Sequence, residues 1–235
     1  MRERPCADRS WTPTVGNAAH RDLARQAVRQ SQVLLKNDAG VLPPARDNNK
    51  IFMAGKSADN IGNSSGGWTI SWPGSSGPIT PGTTILQGIR AAVGPSTTVT
   101  YHQRGTGVDR TYRAAIAVVG ETPYAEGQGD RTGSMSLDRD DLRAIATLRS
   151  AGVPVIVVLV SGRPMDVAAE LPGRHALLAS WLPGTEGGGV ADVLFGGYAP
   201  TGKLPMTWMN SAGQQPINAG DGQVPLFPQG YGLTW

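Results

Sequence analysis

The chain holds a single cysteine, Cys6, which excludes an internal disulfide and any cysteine-based zinc site. Its three histidines, His20, His102 and His175, stand far apart with no ligand spacing, so neither a metal nor another cofactor is expected. Charge is sparse at 17% of residues, and the net +3 is scattered rather than gathered. Nucleic acid and membrane surfaces, which demand a Lys/Arg cluster, are therefore not expected partners. No apolar run approaches the roughly 18 residues of a membrane span. The opening MRERPCADRSWTP lacks the apolar core of roughly 7 to 15 residues that a signal peptide needs. The expectation is a soluble chain whose start carries no targeting address.

What is present is a loop-rich globular composition, with 32 glycines, 18 prolines and 39% hydrophobic residues. At 235 residues one well-filled domain is expected. Residues 1–19 are polar and aperiodic and read as an arm or linker remnant, with residues 20–235 as the domain. Apolar spacing predicts helices over 22–35, 83–93 and from Ser136 or Asp138 to about 152, with shorter ones over 165–170 and 190–195. Short apolar runs at 50–55, 97–101, 115–120, 153–160 and 176–182 read as strands, and VPVIVVLV at 153–160 suits only a strand covered on both faces. Strands alternate with crossovers too long for hairpins. The fold class that follows is α/β, a three-layer α/β/α sandwich with a mainly parallel sheet, helices on both faces and room for one antiparallel edge strand.

The chemistry-bearing stretch is AIAVVGETPYAEGQGD at 115–130, where a buried strand gives way to a Gly/Pro loop carrying Glu121, Glu126 and Asp130. Carboxylates at the carboxyl end of such a strand sit where open α/β sheets place their sites. On residue types alone the loop is either a solvated turn or the carrier of a proton donor. The second stretch is GGWTISWPG at 66–74. Its Trp68 and Trp72 either plug their own loop or present flat faces to a sugar. Arg163, after the central strand, reads as an ion-pair partner for a neighbouring carboxylate. Glu186 reads as a helix N-terminal cap, and Lys36 with Asn37 as a helix C-terminal cap. A phosphate cradle is not in evidence, because neither GxGxxG nor a P-loop occurs, which weakens a flavodoxin-like nucleotide-binding reading.

GETPYAEGQGD resembles the acid/base loop of glycoside hydrolase family 3, the β-glucosidase and β-xylosidase family, in its C-terminal α/β-sandwich domain. HRDLARQAVRQSQVLLKND at 20–38, SWLPGTEGGGVADVLFGGYAPTGKLPMTW at 180–208 and the closing PLFPQGYGLTW extend the resemblance over nearly the whole chain. It implies that Glu126 is the general acid/base, that Trp72 contacts substrate on the aglycone side, and that Asp130 orients the loop; Trp68 is kept beside Trp72 as a candidate substrate contact. It also implies a β-linked glucoside or oligosaccharide as substrate and a (β/α)8 barrel domain or subunit as partner. In that family the nucleophile is an aspartate in an SDW segment of the barrel, and no SDW occurs in this sequence. A barrel takes about 250 residues, for which there is no room here. The expectation is a half-site that is inactive by itself. The alternative is a non-catalytic module that binds carbohydrate or a partner through the tryptophan loop.

Overall fold

A computed structural model describes residues 8–129 and 134–235. Six strands form one sheet: β1 (Val33–Asn37), β2 (Lys50–Ala54), β3 (Thr98–Tyr101), β4 (Ala114–Gly120), β5 (Val155–Val160) and β6 (Ala176–Trp181). Their spatial order is β1-β6-β5-β4-β2-β3, and every neighbouring pair is parallel except β1 with β6. The antiparallel edge strand is thus β1.

The two-residue period of the strands divides the core into two halves. Ala115, Ala117 and Val119 of β4 and Val155, Val157 and Leu159 of β5 face one side. Ile116 and Val118, with Ile156, Val158 and Val160, face the other. All thirteen residues of β4 and β5 are buried, so these strands are covered on both faces. The first face is covered by α5 (Arg139–Ser150) and by the C-terminal segment, whose Trp208 is fully buried and donates its indole N–H to the Met165 carbonyl at 2.8 Å. The second is covered by α3 (Ile85–Ala92) and α6 (Gly187–Leu194), with α1 (Ala18–Ser31) packed on α6 through Val28 and through Arg25 and Arg29, which pair with Asp192 at 2.7 and 2.6 Å.

Helix starts follow from local chemistry. Thr84 and Gln87 form a reciprocal capping box at α3, and Asp138 caps α5 by accepting from the Asp141 N–H at 2.9 Å. Four expectations fail. The helix expected over 22–35 stops at Ser31, because Val33, Leu34 and Leu35 are needed as the buried edge strand against β6. Lys36 and Asn37 therefore form no helix C-terminal cap; the Lys36 ammonium binds the carbonyls of Leu171 and Arg174 at 2.9 and 2.6 Å. Residues 165–170 form no helix, because Met165 and Val167 are buried on a two-residue period while Asp166 bridges to Ser136. Glu186 occupies the N-cap position of α6 without a capping bond; its carboxylate instead pairs with Arg21 at 3.0 Å.

Candidate functional site

The chain moves outward from β2 to β3 in one direction and from β4 to β5 in the other, with α3 and α5 on opposite faces. The loops after β2 and β4 therefore diverge, and a crevice at the carboxyl ends of the strands follows from this reversal. A cavity of about 160 Å³ lies there. Asn63, Gly66 and Gly67 after β2, Glu121 to Ala125 after β4, Gly162 and Arg163 after β5, and Leu182 after β6 line it. A wider groove of about 740 Å³ at the opposite ends of the strands has no carboxylate in its lining.

Glu126 stands beside this cavity on a single helical turn, α4 (Ala125–Gln128), and is half-buried. Its Oε2 accepts a hydrogen bond from the indole Nε1 of Trp72 at 3.1 Å. The two loops meet closely here. A Cβ on Gly67 would lie 3.1 Å from Glu126 Cγ, so glycine leaves the room that the glutamate stem uses. The tryptophan loop follows a short helix, α2 (Ile61–Ser65), and is pinned from below by two asparagines. Asn60 accepts from the N–H groups of Asn63 and Gly77 at 2.9 and 2.8 Å, and the Asn63 side-chain oxygen accepts from Ser76 at 2.6 Å. Trp68 and Ile70 hold φ of 62° and 66°, a region L-residues rarely adopt. Trp68, Ile70 and Trp72 are 73%, 75% and 54% exposed, an apolar ridge beside the carboxyl group. Trp68 thus does not plug its own loop. Asp130 lies outside the described residues.

Glu121, in the lining of the same cavity, is buried. Its carboxylate accepts from the Gly162 N–H at 3.3 Å and lies 3.9 Å from the Arg163 guanidinium. Arg163 also hydrogen-bonds the Tyr124 hydroxyl and sits 5.4 Å from the centre of that ring. The ion pair expected of Arg163 is present, and it ties the start of the acidic loop to the loop after β5.

Beneath the loop lies a network that the sequence reading missed. Asp141 Oδ2 accepts from the backbone N–H of Gly120 at 2.9 Å and from Lys56 at 2.8 Å, and Lys56 also binds Asp138. Burial pushes the Asp141 carboxyl up. Burial also works to lower Lys56, but the facing carboxylates outweigh it and hold the ammonium above its ordinary range. The available signal was helical spacing, since Asp141 stands four and seven residues before the buried Ile145 and Leu148 and so shares their stripe. No three His, Cys, Asp or Glu side chains among the described residues are grouped to hold a metal ion, and no helix among them is long and apolar enough to cross a membrane.

Residues 32–235 match the glycosyl hydrolase family 3 C-terminal domain. The chain is 29% identical to a periplasmic β-glucosidase of Salmonella typhimurium, over 92% of this chain and 35% of that protein. It is 30% identical to a lysosomal β-glucosidase of Dictyostelium discoideum, over 94% of this chain and 30% of that protein. Among solved structures it superimposes on the Q683A mutant of an exo-1,3/1,4-β-glucanase from a Pseudoalteromonas species with a TM-score of 0.87 at 38% identity, covering 96% of this chain and 38% of that one. The chain spans about a third of the length of these relatives.

Proposed function

The chain belongs to glycosyl hydrolase family 3, as its C-terminal domain, and from that premise we propose that it supplies the general acid/base, Glu126, and part of the leaving-group subsite of a retaining, exo-acting β-glycosidase. The substrate class is β-linked glucosides or oligosaccharides. The observation that carries this reading is the placement of the Glu126 carboxyl on an open face at the carboxyl ends of the strands, joined to the exposed ring of Trp72 at 3.1 Å. A proton donor and a flat apolar face for a sugar thus lie side by side.

Retention of configuration needs two carboxyl groups about 5 to 5.5 Å apart, one of them a nucleophile. Glu121 does not serve, because it is committed to Gly162 and Arg163. In this reading the nucleophile comes from outside these residues, on a (β/α)8 barrel domain or subunit that docks over the tryptophan ridge. Glu126 then gives its proton to the glycosidic oxygen as the bond to the anomeric carbon breaks, and the leaving group departs as an alcohol. The resulting carboxylate later takes a proton from the water that hydrolyses the glycosyl-enzyme bond. Trp72 and Trp68 stack against the leaving-group sugar, and Asp130 orients the acidic loop.

The test is an aryl β-glucoside assay on this chain alone and on this chain mixed with the barrel domain of a family 3 relative. Turnover is expected only in the mixture and is lost in Glu126→Gln. Should the chain instead bind oligosaccharide by calorimetry, lose that binding in Trp72→Ala and give no turnover with any barrel, the non-catalytic module replaces this reading.

A further inference from the structure

Trp72 does two things at once. Its ring is 54% exposed, and its indole N–H is directed onto Oε2 of Glu126. Trp68, four residues earlier and more exposed, joins Trp72 through the backbone, donating its N–H to the Trp72 carbonyl at 3.1 Å. The geometry points to Trp72 as the positioning residue for the proton donor: its N–H fixes which carboxyl oxygen carries the proton and stabilises the carboxylate left behind, a role separable from sugar stacking. This rests on the functional reading above.

The argument is one of donor and acceptor inventory. An indole nitrogen can only donate, so Oε2 must be the accepting oxygen in either protonation state. The acidic proton is therefore favoured on Oε1, because the carbonyl oxygen of a carboxylic acid accepts a hydrogen bond better than its hydroxyl oxygen does. When Oε1–H is transferred to the glycosidic oxygen, negative charge develops on the carboxyl group, and a hydrogen bond to an ionised acceptor is stronger than one to a neutral acceptor. The contact thus strengthens along the reaction coordinate, which is the requirement for a group that accelerates the chemical step rather than merely tightening binding. The second step reverses the transfer, with water returning a proton to Oε1. Rigidity supports the role. Trp72 sits in a loop whose Asn60 and Asn63 pins are made to its own chain, and Gly67 lets the glutamate stem lie against that loop.

Trp72→Phe separates the two roles, because it keeps an aromatic face and removes the N–H. On this chain, nitrogen-proton NMR of the indole groups reads the contact itself. The Trp72 resonance, assigned by its loss in Trp72→Phe, is expected to move upfield in Glu126→Ala while the Trp68 resonance stays. A Trp72 resonance indifferent to Glu126→Ala overturns the contact. In the mixture with the barrel domain, kcat/KM is compared for an alkyl β-glucoside, whose departure needs a proton, and for a 2,4-dinitrophenyl β-glucoside, whose departure does not. The ratio of the two is expected to fall roughly tenfold in Trp72→Phe, the scale of one hydrogen bond to a charged group. An unchanged ratio, both substrates losing equally, overturns the positioning role and leaves Trp72 a platform only. A mixture that never turns over, beside an NMR contact that is present, sinks the functional reading and this role with it while the hydrogen bond stands.

Discussion

The ammonium of Lys56, just beyond β2, lies 2.8 Å from Oδ2 of Asp141 in the first turn of α5, and that oxygen also holds the Gly120 N–H at the point where β4 becomes the acidic loop. Three elements are thereby tied together under Glu126. Asp141 is 1% exposed and the Lys56 side chain 16%, so little water screens the pair.

Lys56→Met is expected to destabilise the chain by about 3 to 5 kcal/mol, because it strands a buried carboxylate. Urea unfolding measures this. Adding Asp141→Asn is expected to recover part of the loss, and strict additivity of the two changes would argue against a coupled network.

Arg174 presents the opposite case. Its guanidinium has no exposed surface, none of its three nitrogens has a hydrogen-bond partner among the described residues, and the Glu170 carboxylate is 3.8 Å away. Burial lowers its pKa to about 10, Glu170 opposing and Arg149 assisting. The unfolded chain thus binds this proton more tightly than the native one, so the cost is fully present below about pH 10 and is relieved as pH rises toward the unfolded value. Its size is about 3 kcal/mol at about 1.36 kcal/mol per pH unit. Arg174→Met is expected to raise stability at pH 7, with a gain that shrinks above about pH 10. Chemical denaturation of both proteins at about pH 7 and about pH 10.5 checks the sign, and a loss of stability at the lower pH would refute it.

Gly120 has φ of 138°, and a Cβ there would lie 1.9 Å from the Val160 carbonyl oxygen. Both the backbone region and the neighbouring strand refuse a side chain. Gly120→Ala is expected to cost at least about 3 kcal/mol, or to prevent folding, read by circular dichroism and thermal melting.

Gly67→Ala tests the site without the fold. Its added methyl presses on the Glu126 stem, which is flexible and next to solvent, so the melting temperature is expected to stay within a few degrees. Turnover in the mixture with a barrel domain is expected to fall roughly tenfold, since small displacements of a proton donor are costly. A normal rate would show that the close approach of the two loops is incidental.

Much of this was legible beforehand because β4 and β5 are apolar on both alternating faces, a pattern with one structural meaning. The Asp138 cap was legible for a similar reason, as it is a local bargain between neighbours in sequence. Val33 to Asn37 was not. Its apolar residues continue the spacing of α1, and only the presence of β6, far along the chain, makes strand the better state. Met165 and Val167 were misread for the same reason: their period is set by the surfaces they fill.

The amino-acid sequence determined on its own terms which layers bury which side chains, because composition, period and capping act within a few residues. Its resemblance to family 3 marked Glu126 and Trp72 separately, 54 positions apart. Their union, the commitment of Glu121 to Arg163 and the anchoring of Gly120 by Asp141 were decided by tertiary structure. A hydrogen bond between distant residues depends on where a parallel sheet delivers its loops, and the reversal of strand order between β2 and β4 brings those two loops to one crevice.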